Sequence, residues 1–350
     1  MNKEEEVKEK IKKVAVIGSG PSGLTISSAL LNHGVDVTLY ESFHLAGGVL
    51  IYGIPDSRLP KSVVKNEVDL LINKGLKIIY NTKVGRDIKL SKLQQDYDAV
   101  YIAAGAGIPN FIGLEGENSD RVYSGHDFIA RFKVPDAYSK ESLQKIKQSK
   151  NVIILGAGNV AMDASRTAIE AGAKKVNIVY RRSEKEMPAR AYEVEDAKEM
   201  GAIFNFLLAP KKILSENGTV SGVVFVKTVL GEVDVKGRQT AHELPNSELV
   251  MPCDTVIECI GAGADSQLTD GTGLQIDSKG LISVDEKGKT NLHNVYAGGD
   301  IVTGNKIVPL AMSAGRKAAK SILESFGITV KPIEKEMQAV MTCISPVKKQ

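Results

Sequence analysis

Apolar positions along this chain fall into two spacings, and their alternation organises the rest. Short runs suited to single buried strands occur at Val14–Ile17, Val35–Tyr40, Leu76–Tyr80 and Asp98–Ala103, then again at Asn151–Leu155, Val176–Tyr180, Ile203–Leu208, Thr255–Ile260 and Asn294–Ala297. Between them, helical spacing predicts helices over Leu24–Leu31, Ser62–Lys74, Met162–Ala171 and Glu193–Met200, with a last one opening at Val308-Pro309 and running to about Phe326. Strand alternating with helix specifies an α/β chain built on parallel sheets. Two stretches depart from that rhythm. Lys212 to Val235 alternates apolar and polar residues around Asn217-Gly218, which predicts an antiparallel meander laid across the second sheet. Arg121 to Lys150 is charged and amphipathic, and Leu45 to Lys61, with three glycines and two prolines, reads as a structured loop.

The strand runs end in glycine-rich turns, and two of these turns repeat one pattern. The first strand enters Gly18-Ser-Gly20-Pro21-Ser22-Gly23, a helix follows, and the second strand closes on Glu41. In such a βαβ unit the first Gly permits the tight turn and the second lets backbone N–H groups approach a pyrophosphate. The third lets helix and strand pack closely. The helix N-terminus adds partial positive charge and free donors. The pattern returns 138 residues later as Gly156-Ala-Gly158-Asn159-Val160-Ala161, where Ala in the third position is an allowed departure. The two copies differ after their second strand. Glu41 suits a free ribose hydroxyl, so the first site is expected to take FAD or NAD. Arg181 and Arg182 suit a 2′-phosphate, so the second is expected to take NADP(H).

Composition narrows the class without changing this picture. A chain of 350 residues suits two domains, and 25% charged residues with 5% aromatics describe a globular protein. A net charge of +3 with no Lys/Arg block gives no reason to expect nucleic acid. The charged opening residues, 1–13, read as a solvated lead-in rather than a secretory signal, and no apolar run is long enough to span a membrane. Together with three cysteines that form no CxxC, these features lead us to expect a cytoplasmic protein. The histidines His33, His44, His126, His242 and His293 are scattered, so no metal is expected, and no acid–base or nucleophilic set is defensible from spacing. Hydride transfer depends on positioning more than on such groups.

Several stretches together resemble one family. GSGPSG with Glu41, GGVLIYGIPDSRLPK, YDAVYIAAGAG, LGAGNVAMDASRTAIEAGA, YRRSEKEMPAR and NVYAGGDIVTGNKIVPLAMSAGRKAA are similar to the small (β) subunit of NADPH-dependent glutamate synthase and its relatives, from Val14 to Ala319. The resemblance implies two Rossmann-like three-layer domains, an NADP-binding one (123–287) inserted into a discontinuous FAD-binding one (14–122 and 288–350). It implies an FAD-dependent NADPH oxidoreductase in which hydride passes from NADPH to flavin. On that basis Gly18 to Gly23 hold the FAD pyrophosphate and Glu41 its ribose. Gly48 and the loop to Arg58 wrap the flavin, and Val84 offers backbone hydrogen bonds to adenine. Gly105 lines the cofactor path, and Gly299 and Asp300 reach the ribityl–pyrophosphate region. Gly156, Gly158, Asn159, Val160, Arg181, Arg182 and Gly261 serve NADPH. Val308 and Pro309 open a helix whose positive end faces the flavin edge, where charge accumulates on reduction.

The family also carries an N-terminal segment whose cysteines hold iron–sulfur clusters. Cys253, Cys259 and Cys343 lack that spacing. Clusters are therefore expected on an iron–sulfur or amidotransferase partner subunit, or electrons pass to a soluble acceptor. Two alternatives stand beside this reading: a ferredoxin–NADP reductase running electrons toward NADP, and a cofactor-binding scaffold without turnover.

Overall fold

The computed structural model describes residues 11–54, 56, 58–134, 138–234, 237–304, 306–330 and 337–344. Most of the expected lead-in therefore lies outside the described residues, as do Pro55 and Ser57 of the loop ending at Arg58. The chain divides into two compact units: the second is Pro109–Ala262 with Tyr52–Asp56, and the first is the remainder. The second unit is thus an insertion in the first.

In the first unit five strands pair in parallel in the order Val295–Ala297, Ala99–Ile102, Lys13–Ile17, Asp36–Tyr40, Lys77–Ile79. Sequence order reverses beside the central strand, and in open α/β sheets that is where the carboxyl ends leave a crevice. Residue alternation sorts the side chains. Ala15 and Ile17 face a cluster completed by Leu90, Leu93, Leu268, Leu274 and Ile282. The helix Pro21–Leu31 packs closely on the last long helix, Val308–Ser325. Gly315 makes that approach possible: a side chain there would sit 2.6 Å from the Ser22 carbonyl oxygen.

The second unit repeats the plan, with parallel strands in the order Val122–Ser124, Thr255–Glu258, Asn151–Leu155, Lys175–Tyr180, Ile203–Phe206. One face is covered by the helices Gly125–Lys133, Asn159–Glu170 and Ala191–Glu199 through Phe128, Met162, Ala168 and Val194. The other face is covered by the expected meander. Its strands, Leu208–Glu216, Thr219–Val233 and Gln239–Pro252, bring Ile213, Val220, Val223 and Phe225 onto Ile153, Leu155, Val179 and Val256.

The division differs from the expected 123–287 at both ends. Residues from 109 onward join the inserted unit early because Glu115 and Asp120 bridge to the meander at Lys212 and Thr219. Residues after 262 return to the first unit because Leu268, Leu274 and Ile282 complete its core.

Candidate nucleotide-binding turns

At the first turn Gly18 adopts φ +93°, and a side chain there would meet the Ala103 carbonyl oxygen at 2.5 Å. A side chain on Gly23 would overlap the Gly18 carbonyl oxygen, so this glycine sets the close packing of helix on strand. Gly20 is different. Nothing lies within 4 Å of the place its side chain would take, so the outer side of the turn is open. Gly20 is also the N-cap of the helix Pro21–Leu31 and supplies no side-chain cap, unlike Ser124 and Ser139 at two other helix starts. Pro21 at the start is tolerated there because the first helical N–H has no intrahelical partner in any case.

Glu41 is 3% exposed, and both its oxygens are engaged. Oε2 accepts from the Ser19 N–H at 2.9 Å and from the Ser19 hydroxyl, while Oε1 accepts from the Phe43 N–H at 2.8 Å and the Ser42 hydroxyl at 3.2 Å. Ser19 also accepts from the Gly47 N–H at 2.8 Å, and Gly48 lies against Gly20, its absent side chain 2.9 Å from the Gly20 Cα. One serine therefore ties the turn, the acid and the following loop together. Its position inside the glycine motif was the only signal available in sequence.

Ser22, at the helix start, shares a 2.7 Å hydrogen bond with the phenol of Tyr101, which is fully buried and whose pKa burial raises. A side chain on Gly299 would lie 3.0 Å from the Ser22 Cβ, and Gly299 leads into Asp300. The Asp300 carboxylate accepts the Lys306 N–H at 3.2 Å, and burial raises its pKa. Gly18, Gly20, Pro21, Ser22, Gly23, Glu41, Gly48, Gly299 and Asp300 thus form one connected group. Gly105 follows two residues after Ala103, with open space beside it. Val84 turns its side chain into the core, so only its backbone is available to a ligand. Arg58 is half-buried, and Val308-Pro309 open the last long helix, with Pro309 and the neighbouring Ile307 and Leu310 exposed.

The second turn has the same construction. Gly156 adopts φ +119°, and a side chain there would overlap the Cys259 carbonyl oxygen. Gly158 caps the helix Asn159–Glu170 without a side chain. Asn159 Oδ1 accepts the Arg190 N–H at 3.0 Å, and Ala157 accepts the Ala189 N–H at 3.3 Å, so the segment after the arginines returns to the turn. Val160 is half-buried and faces Gly125, and the Gly261 carbonyl accepts the Asn110 N–H at 3.0 Å.

The two arginines part company here. Arg181 is exposed. Arg182 is 7% exposed and turned inward; its Nε–H donates to the Gln239 carbonyl at 2.6 Å, and its other end lies 3.6 Å from Asp234. Adjacent residues leaving a strand point to opposite sides, so only one of the pair faces outward.

Family models and relatives agree with this architecture. The model described as pyridine nucleotide-disulphide oxidoreductase matches residues 12–318. The chain belongs to that family. It is 40% identical over 331 residues to the NADP(+)-dependent formate dehydrogenase subunit beta of Moorella thermoacetica, covering 94% of this chain and 46% of the relative. It is 37% identical to the glutamate synthase [NADPH] small chain of Escherichia coli (strain K12), covering 91% of this chain and 69% of the relative. The chain therefore spans from about half to two thirds of the length of these relatives. A variant of FprA from Mycobacterium tuberculosis superimposes with a TM-score of 0.76 at 18% identity, over 96% of this chain and 91% of FprA, and shows a shared fold.

No disulfide links the described cysteines. Burial pushes the Cys253 thiol up to about 12 and raises Cys259 as well, so both stay protonated and are poor nucleophiles. Among the described residues no cluster could hold a metal, and no helix is long and apolar enough to cross a membrane. A buried carboxyl that sequence reasoning missed is Glu258, at the end of the strand Thr255–Glu258. It is 2% exposed, and burial, then the neighbouring Glu117 carboxyl, push it up to about 8. Its Oε2 accepts the Ile112 N–H at 3.2 Å.

Proposed function

We propose that the chain is an FAD-dependent NADPH oxidoreductase that passes electrons on to an iron–sulfur partner or a soluble acceptor. The observation that carries this reading is the pair of uncapped glycine turns, each at the mouth of its own parallel sheet, followed by buried Glu41 in one unit and exposed Arg181 in the other. The first turn fits an adenine dinucleotide without a 2′-phosphate. The space beyond Gly20 admits a pyrophosphate to the helix N-terminus. At Glu41 the two main-chain donors, from Ser19 and Phe43, fix the orientation of the carboxylate. The Ser19 and Ser42 hydroxyls are the donors that a ribose diol replaces one for one. Asp300 and the opening of the helix Val308–Ser325 complete the flavin side. In the second unit the helix start after Gly158 receives the coenzyme pyrophosphate, and Arg181 its 2′-phosphate.

A bound flavin supplies the two-electron acceptor for a nicotinamide hydride. The chain's residues bind and orient; no side-chain acid or base is assigned to the transfer. The relatives whose names describe a subunit beta and a small chain support the expectation of a partner subunit.

Purified protein given FAD should hold it and show flavin absorbance. Anaerobic NADPH should bleach that absorbance much faster than NADH at equal concentration. A protein that retains no FAD, or one bleached equally by both coenzymes, would overturn the corresponding half of the reading.

A further inference from the structure

We infer that Thr228 and Arg182 are positioning residues: from the meander they hold the main chain of Arg181, the cation assigned above to the 2′-phosphate. This deepens the proposed function and rests on its NADPH reading.

Three attachments fix the dipeptide Arg181-Arg182 as it leaves the strand Lys175–Tyr180. The Thr228 hydroxyl, 4% exposed, donates to the Arg181 carbonyl oxygen at 2.7 Å. The Leu207 N–H donates to the Arg182 carbonyl oxygen at 3.2 Å, and the Leu207 carbonyl accepts the Thr228 N–H at 2.9 Å. Finally, the Arg182 guanidinium donates to the Gln239 carbonyl at 2.6 Å, beside Asp234. Leu207 is held at φ +57°, a left-handed conformation that a bulky L-residue adopts at a cost, and here it closes the corner between Arg182 and Thr228.

The meander is irregular at the same places. Its register with the edge strand shifts between Val226 and Thr228, and again between Leu230 and Val233. Bulges re-aim side chains; the first shift ends at Thr228 and the second at Val233, the partner of Gln239. A regular ladder would not need them. The second sheet's β layer therefore does more than cover a face: it fixes where the Arg181 side chain starts. Arg182, committed to Gln239, contributes its charge to that anchoring rather than to the coenzyme.

The test uses the FAD-loaded full chain with NADPH and NADH as alternative donors to a dye. Arg181→Ala should raise the NADPH KM at least about tenfold and leave the NADH KM within about twofold. Thr228→Val keeps the shape and removes the hydroxyl; it should raise the NADPH KM about three- to tenfold with kcat unchanged, and Thr228→Ser should restore it. In the Arg181→Ala background neither Thr228→Val nor Arg182→Ala should change the NADPH-to-NADH ratio further, because both act through Arg181. If Arg181→Ala selects against NADPH but Thr228→Val does not, or if Arg182→Ala adds its own loss on top, the positioning role is wrong while the coenzyme reading stands. If Arg181→Ala itself leaves the ratio unchanged, the coenzyme reading fails.

Discussion

At the scale of single residues, Glu258 makes the sharpest prediction. Its carboxyl titrates near 8 in the folded chain against an ordinary value of 4.5, because burial and the adjacent Glu117 disfavour the anion. Between those two values the folded chain holds a proton that the unfolded chain has released, so raising the pH favours unfolding. Its stabilising share is complete below pH 4.5 and lost as the pH climbs through 8, with a slope approaching about 1.4 kcal/mol per unit in between. Glu258→Gln keeps an acceptor for the Ile112 N–H and cannot ionise. Urea unfolding at pH 5, 6.5 and 8.5 should show wild type and variant alike at the lowest pH and the variant more stable by a few kcal/mol at the highest. Parallel curves would mean that the carboxyl is ionised in the folded state. No sequence pattern exposes this residue. Glu258 and Glu117 lie on elements far apart in the chain, and the end of a strand is an ordinary place for a solvated acid.

Among elements, glycines decide which helices can approach. Gly315 sits where the last long helix crosses the first, with Ser22 O at 2.6 Å and Ile26 N at 3.3 Å from the side chain it lacks. Both neighbours are backbone and cannot rotate away. Gly315→Val should therefore destabilise the chain by about 1–3 kcal/mol, whereas Lys317→Ala, on the exposed face of the same helix, should stay within about 0.5 kcal/mol. Urea midpoints of the two variants check this, and an equal effect would mean that the helices are not in close contact. The same logic explains what the sequence could reveal. Strand runs and glycine turns were legible because burial and turn geometry are local demands. The observed helix Pro21–Leu31 merely starts earlier than its apolar spacing suggests, because Gly20, Pro21 and Ser22 carry no hydrophobic signal. The charged stretch after Arg121 hid the helices Gly125–Lys133 and Lys140–Lys147, although Ser124 and Ser139 cap them through the N–H groups of Asp127 and Ser142. The short helix Leu90–Asp96 begins after Lys89, without a side-chain cap, and buries only Leu90 and Leu93. The inward turn of Arg182 was not legible at all, because its partners Gln239 and Asp234 come from a layer whose register no local pattern sets.

For the whole molecule, the insertion is the property to test. The chain leaves the first unit at Ile108–Pro109 and returns at Ala262–Gly263, and these two crossings pair as a two-stranded ribbon. Paired strands lie about 4.8 Å apart, so a short Gly-Ser bridge can join residue 108 to residue 263 without strain. Each side keeps its own core: Val152, Ile154, Phe128 and Met162 on one face of the inserted sheet with Phe225 and Val223 on the other, and Ile17, Val100, Leu93 and Leu268 in the first unit. A domain of about 150 residues buries enough surface to fold alone. Pro109–Ala262 expressed by itself should then unfold in one cooperative urea transition and bind adenosine 2′,5′-bisphosphate more tightly than 5′-AMP, by the Arg181 contact. The bridged remainder should retain FAD and show no preference between those two nucleotides. Should the excised unit fold but treat both nucleotides alike, selection for the 2′-phosphate would need residues outside it. Should the remainder fold but lose FAD, the flavin would depend on the inserted unit, and the first glycine turn would not suffice to hold it.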